Sequence, residues 1–190
     1  HLKLFFALFA MLALGVGNAW AETGTLVSSL ATISSGDTYY IAALNSGKYY
    51  TVPNTTIAGQ TFTCTQGSFS NNTLTPSSGA GEFVFTAVDG VANAYYIYNT
   101  NLEKYLVATG SKKFGYVTSS SSDYGYWTFT TVNSGGFSGV FSVKHSSKTH
   151  YMRAYSNSVR CYDGASNNGV YLFKKDVATT SYTVSYDSNG

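Results

Sequence analysis

Between residues 37 and 176 the apolar positions come in short runs, alternating with polar ones, and no stretch carries the spacing of a long helix face. Alternation with a period of two marks half-buried strands. Three segments share the order Gly-x-aromatic-x-Phe: Gly81-Glu82-Phe83-Val84-Phe85, Gly125-Tyr126-Trp127-Thr128-Phe129 and Gly169-Val170-Tyr171-Leu172-Phe173, with the glycines 44 residues apart both times. A second landmark precedes each of them. Ile41, Ile97 and Val143 stand eight residues before Tyr49, Tyr105 and Tyr151, with Asn, Ser or Gly turn chemistry between. A third is a short strand: Phe62-Thr63-Cys64, Phe114-Gly115-Tyr116 and Val159-Arg160-Cys161. The order is constant, so three units of about four strands each are predicted over 37–88, 94–132 and 140–176. A unit this short cannot bury its apolar face alone, and three must pack together.

A threefold repeat of four strands resembles the β-trefoil, a closed barrel capped by hairpins, with a β-sandwich as the alternative all-β architecture. On this reading Phe83, Trp127 and Tyr171, and likewise Phe85, Phe129 and Phe173, are equivalent core residues around the barrel axis. Secreted bacterial trefoils resemble ricin-type carbohydrate-binding modules, and the resemblance implies a lectin-like binding domain. The Gln-x-Trp motif of that family is replaced here by Gly125-Tyr126-Trp127.

The two ends read differently. Lys3, the apolar run Leu4–Val16 and Ala19-Trp20-Ala21 make residues 1–21 a secretory signal peptide. Residues 22–36 are a lead-in, 37–176 the trefoil-like domain, and 177–181 a small-residue linker. Residues 182–190 run Tyr-Thr-Val-Ser-Tyr-Asp-Ser-Asn-Gly. They resemble the opening of a Listeria–Bacteroides (InlB B-type) repeat, with Tyr186 in place of its Phe. That likeness implies a secreted, Bacteroidetes-like surface protein longer than this chain. Together these features place the protein outside the cell or on its surface, with no membrane insertion once the signal is removed.

Composition narrows the chemistry. Charged residues make up 11% of the chain and the net charge is +2, which excludes a polybasic nucleic-acid binder. His145 and His150 flank the third hairpin turn without a third ligand, and read as exposed turn residues rather than a metal site. Cys64 and Cys161 occupy equivalent places in units one and three, so a disulfide and two buried thiols are both open readings. Asp37, Asp89, Asp123 and Asp163 sit singly in turns, no Gly-x-Ser-x-Gly elbow occurs, and neither an enzyme nor a cofactor is expected.

What remains is binding. A sugar site needs an aromatic face for stacking and amide or carboxylate groups for hydroxyls. The third unit supplies the fullest set, Arg153, Tyr155, Tyr162, Asp163 and Asn167. The second offers Asp123, Tyr124 and Tyr126. The expected partner is a neutral glycan or, alternatively, a surface protein held by a structural or interaction module.

Overall fold

The computed structural model describes residues 21–177 apart from 111, 122, 133–138 and 165–166. Residues 1–20 of the expected signal peptide (1–21), residues 178–181 of the expected linker (177–181) and the expected repeat-like end over 182–190 lie outside the described residues. Strands β1 (Gly24–Leu26), β2 (Thr38–Asn45), β3 (Lys48–Thr51), β4 (Thr61–Thr63), β5 (Thr65–Gln66), β6 (Ser68–Ser70), β7 (Thr73–Thr75) and β8 (Phe83–Ala87) build the first third. The second holds β9 (Ala94–Asn99), β10 (Lys104–Thr109), β11 (Lys113–Val117) and β12 (Trp127–Thr131). The last holds β13 (Val140–His145), β14 (His150–Tyr155), β15 (Ser158–Asp163) and β16 (Val170–Lys175). A 3-10 turn, Leu30–Thr32, is capped by the Ser29 hydroxyl, which accepts from the Ala31 N–H.

Six strands close on themselves in the order β2, β8, β9, β12, β13, β16, with β16 pairing back to β2. The antiparallel hairpins β10–β11 and β14–β15, and the corresponding β3, β4 and β5, project from one end of this ring. Two strands per unit in the ring and a hairpin beyond it, three times over, make a β-trefoil. Closure leaves the ring strands without free edges.

The core is stacked in layers whose members follow from the pairing registers. Tyr39, Tyr95 and Phe141 form one layer, all buried. The next pairs Phe85 with Ile97, Phe129 with Val143, and Leu172 with Ile41. Beyond it Phe83 faces Asn99 and Trp127 faces His145. The cap carries Val52, Leu106 and Met152, and above them Phe62, Phe114 and Val159. The Phe62 and Phe114 rings lie 4.9 Å apart.

These registers correct the third Gly-x-aromatic-x-Phe segment. Its counterpart to Phe85 and Phe129 is Leu172, not Phe173, and Val170 rather than Tyr171 takes the place of Phe83 and Trp127. A shift of one residue moves every side chain to the opposite face. Tyr171 and Phe173 therefore leave the barrel interior for a second apolar cluster with Tyr40, Tyr49 and Leu74. The cause is in the first third of the chain. β1 pairs with β16, and the inserted hairpin β6–β7 pairs onto β1, so the outer face of β16 is covered as well. A strand buried on both faces reads as continuous apolar sequence, and Val170-Tyr171-Leu172-Phe173 is one. The glycines before these strands have a separate reason. A Cβ on Gly169 would meet the Phe141 carbonyl oxygen at 2.3 Å, and one on Gly125 (φ +85°) would meet the His145 ring at 2.4 Å.

Candidate functional site

The β14–β15 hairpin is pinned by a two-residue turn, Ser156-Asn157. Ser156 adopts φ +53° and the Ser158 hydroxyl donates to the Tyr155 carbonyl at 2.6 Å. Met152, Ala154, Val159 and Cys161 point toward the core, so alternation sends Arg153, Tyr155, Arg160 and Tyr162 to the outer face. Arg153 stands directly across from Arg160, and Tyr155 is one step further along, opposite Ser158. The Arg160 guanidinium lies 3.8 Å from the centre of the Tyr155 ring. Arg153 and Lys112 lie 5.1 Å and 4.8 Å from the centre of the Tyr162 ring. Tyr155 and Tyr162 are nevertheless 57% and 40% exposed.

Two grooves meet at Ala154 and Tyr155. The larger, about 420 Å³, lies between the third hairpin and the first unit and includes Leu44, Tyr155, Ser156, Asn167, Asn168 and Tyr171. Its floor is fixed by the backbone: the Ala154 N–H donates to the Asn168 carbonyl at 3.0 Å, and the Asn45 side-chain amide donates to Ser156 Oγ at 3.3 Å. Among the described residues no charged side chain lines it. The smaller groove, about 210 Å³, is lined by Arg153, Tyr155, Arg160 and Tyr162.

Of the five residues singled out from sequence, Arg153, Tyr155 and Tyr162 share the smaller groove, and Tyr155 and Asn167 share the larger. Asp163 lines neither; it is engaged elsewhere. Its carboxylate lies 2.6 Å from His150 Nδ1 and 3.3 Å from Lys112 Nζ. His150 Nε2 in turn lies 2.9 Å from the Gly110 carbonyl and 3.1 Å from the Lys112 N–H. His150 and Asp163 thus tie the third hairpin to the turn of the second. Arg160 and Tyr171 were missed by sequence reasoning. The signal for Arg160 was its place opposite Arg153, which only the pairing register reveals. Of the second-unit candidates, Tyr126 lines a groove of about 360 Å³ shared with Lys144, His145 and Tyr151 of the third unit, while Tyr124 is exposed outside it.

Both histidines are buried, against the expectation of exposed turn residues. His145 is the last residue of β13, so its side chain falls on the inward side and meets the Trp127 ring edge-on at 4.7 Å. Burial pushes its pKa down to about 4, so the ring is neutral near pH 7.

The cysteine question resolves to two free, buried thiols. β4 and β15 are paired, but the Cys64 N–H bonds the Asn157 carbonyl and the Cys161 N–H bonds the Gln60 carbonyl. The two cysteines are thus offset by four positions along the ladder, roughly 13 Å, beyond the reach of a disulfide. Burial pushes both thiols up to about 12, which makes them poor nucleophiles. Among the described residues no group of three His, Cys, Asp or Glu is placed to hold a metal ion.

The carboxylates are largely committed to partners. Lys175 bridges Glu22 (2.8 Å) and Glu82 (2.5 Å), Lys174 holds Asp37, and Asp176 accepts from the Thr23 and Thr25 hydroxyls. Lys175 beside Glu22 holds that carboxyl below its ordinary range.

No family model and no curated protein matches the chain. Among solved structures it is similar to Cry35Ab1, with TM-score 0.50 and 13% identity over 83% of this chain and 40% of that one. It is also similar to SeviL bound to asialo-GM1 saccharide (TM-score 0.48, 12% identity, 74% of this chain and 98% of that one). A third is BEL beta-trefoil in an apo crystal form (TM-score 0.48, 13% identity, 76% and 96%). At these identities the likeness is one of fold.

Proposed function

We propose that this domain is a non-catalytic, extracellular carbohydrate-binding module, and that its site is the groove between the third hairpin and the first unit. The observation that carries the reading is the convergence of Tyr155, Tyr171, Asn167 and Ser156 around one uncharged groove of about 420 Å³. The exposed Tyr155 ring supplies a stacking surface for the apolar face of a sugar ring, and the buried Tyr171 supports the groove beneath it. Amide and hydroxyl groups supply the donors and acceptors that fix hydroxyls in place. The absence of charged groups from the lining suits a neutral glycan. Export of the protein by its leader, attachment to a longer surface protein and the repeat-like C-terminal end are parts of the same proposal.

The test is a screen of the chain against a broad array of neutral glycans, followed by titration calorimetry on the strongest hit. Saturable binding that falls at least about tenfold in Tyr155→Ala and in Asn167→Ala supports the site. A chain that binds no glycan, or whose binding is indifferent to both substitutions, overturns it and favours an interaction module.

A further inference from the structure

The smaller groove has a chemistry of its own. Arg153 and Arg160 face each other directly across β14 and β15. Like charges at directly opposed positions cost stability. Neither guanidinium forms an ion pair with a carboxylate among the described residues, and Lys112 adds a third cation 4.8 Å from the centre of the Tyr162 ring. The nearest acid, Asp163, is taken up by His150 and Lys112. Arg160 Nε is buried without a hydrogen-bond partner among the described residues. A buried donor left open costs more than a typical hydrogen bond contributes. Its cost is removed when an acceptor enters the groove.

The tyrosines complete the arrangement. Tyr155 and Tyr162 lie against the guanidinium groups, which limits the conformations the arginines sample before a ligand arrives. Held in this way, the two arginines, cross-strand neighbours on one face, bring planar, forked donors to the lining of a space of about 210 Å³. Such forks match the paired oxygens of a carboxylate or a sulfate ester. The other units lack the set. In the hairpin β10–β11 the positions of Arg153, Tyr155, Arg160 and Tyr162 hold Val107, Thr109, Gly115 and Val117.

We infer that this groove binds an anionic group, a carboxylate or sulfate, carried on a sugar next to the neutral residue seated in the larger groove. Tyr155 and Ala154 line both spaces, so one oligosaccharide reaches both. The inference rests on the glycan-binding reading. It adds to it the class of ligand: an acidic oligosaccharide rather than a wholly neutral one.

The experiment compares three probes on the full chain by calorimetry at two salt concentrations. They are neutral agarose oligosaccharides, κ-carrageenan oligosaccharides bearing sulfate on a similar backbone, and alginate oligosaccharides bearing carboxylates. A short poly-glutamate peptide is the fourth arm. The expected result is binding of a charged saccharide at least about tenfold tighter than the neutral one, weakening with salt. Arg153→Lys and Arg160→Lys lose most of that advantage although the charge is kept, because an ammonium group lacks the fork. Lys104→Ala, which removes a cation outside the groove, keeps it. Whether sulfate or carboxylate gives the larger gain identifies the group.

Neutral saccharide binding with no gain from charge overturns this inference and leaves the glycan reading standing. Failure of every saccharide overturns both. A charge preference untouched by Arg153→Lys and Arg160→Lys places the anion elsewhere and overturns the assignment. Equal binding of poly-glutamate marks a general polyanion surface and overturns the sugar part.

Discussion

The hairpins β10–β11 and β14–β15 occupy the same place in successive units, and their inward faces are interchangeable in kind. Leu106, Ala108, Phe114 and Tyr116 in one correspond to Met152, Ala154, Val159 and Cys161 in the other. Their outward faces differ completely. The second unit shows Val107, Thr109, Gly115 and Val117; the third shows Arg153, Tyr155, Arg160 and Tyr162. Both hairpins must fill the same cap of the barrel, so packing constrains one face equally in both. Nothing in the fold demands two arginines and two tyrosines on the other. The difference separates what the trefoil needs from what one unit does with it. It also argues for a site in one unit rather than three symmetric ones.

The comparison can be tested most severely on the inward face. Phe114→Ala removes a fully buried ring that packs on both Phe62 and Trp127, and should cost about 3–5 kcal/mol in urea unfolding. A cost below about 1 kcal/mol would mean that the cap contributes little to the fold.

The ring strands give a second contrast, Asn99 against His145 at the same position in units two and three. The folded pKa of His145, about 4, lies below the ordinary value of 6.5. The unfolded chain therefore binds the proton first as pH falls. The contribution of the neutral ring is complete above about pH 6.5 and is lost progressively down to about pH 4. Unfolding free energy should drop by about 2 kcal/mol between pH 7 and pH 5. His145→Asn, which copies the second unit, should flatten that slope. A slope unchanged in the variant would assign the proton uptake to another group.

On the outward face, Tyr155→Thr with Tyr162→Val gives the third hairpin the second unit's residues. Glycan affinity should fall at least about tenfold while unfolding free energy moves by less than about 1 kcal/mol. Loss of stability on the scale of the Phe114 variant would show that these rings serve the fold instead. The smallest effect concerns a turn. Glu103→Gly, in the β9–β10 turn away from both grooves, relieves a positive φ and should stabilise by roughly 0.5–1 kcal/mol without moving affinity. Weaker binding in that variant would mean that the second unit takes part in the site.

The repeat was legible because each unit must supply the same buried layers. Ile41, Ile97 and Val143, and Phe62, Phe114 and Val159, take equivalent places, but the eight-residue spacing to a tyrosine fails in the first unit, where Thr51 rather than Tyr49 holds the place of Tyr105 and Tyr151. The third Gly-x-aromatic-x-Phe segment misled for a physical reason. On a strand covered from both sides, apolar residues stand at every position, and alternation no longer tells inside from outside. The histidines were misplaced because the last residue of one strand, His145, and the first of the next, His150, can still be buried, and short-range turn chemistry does not record that.

The candidate site divides along the same line. Sequence alone singled out the third unit, since Arg153, Tyr155, Tyr162 and Asn167 are types that a barrel does not require and the other units do not repeat. It determined the all-β class, the threefold repeat and most of the core, because those depend on periodicity and residue volume. Tertiary structure alone decided that Arg160 faces Arg153, that Asp163 is held by His150 and Lys112, and that Cys64 and Cys161 stand apart. Each of those facts depends on pairing register between strands, and register is set by the closure of the whole barrel rather than by any local stretch of chain.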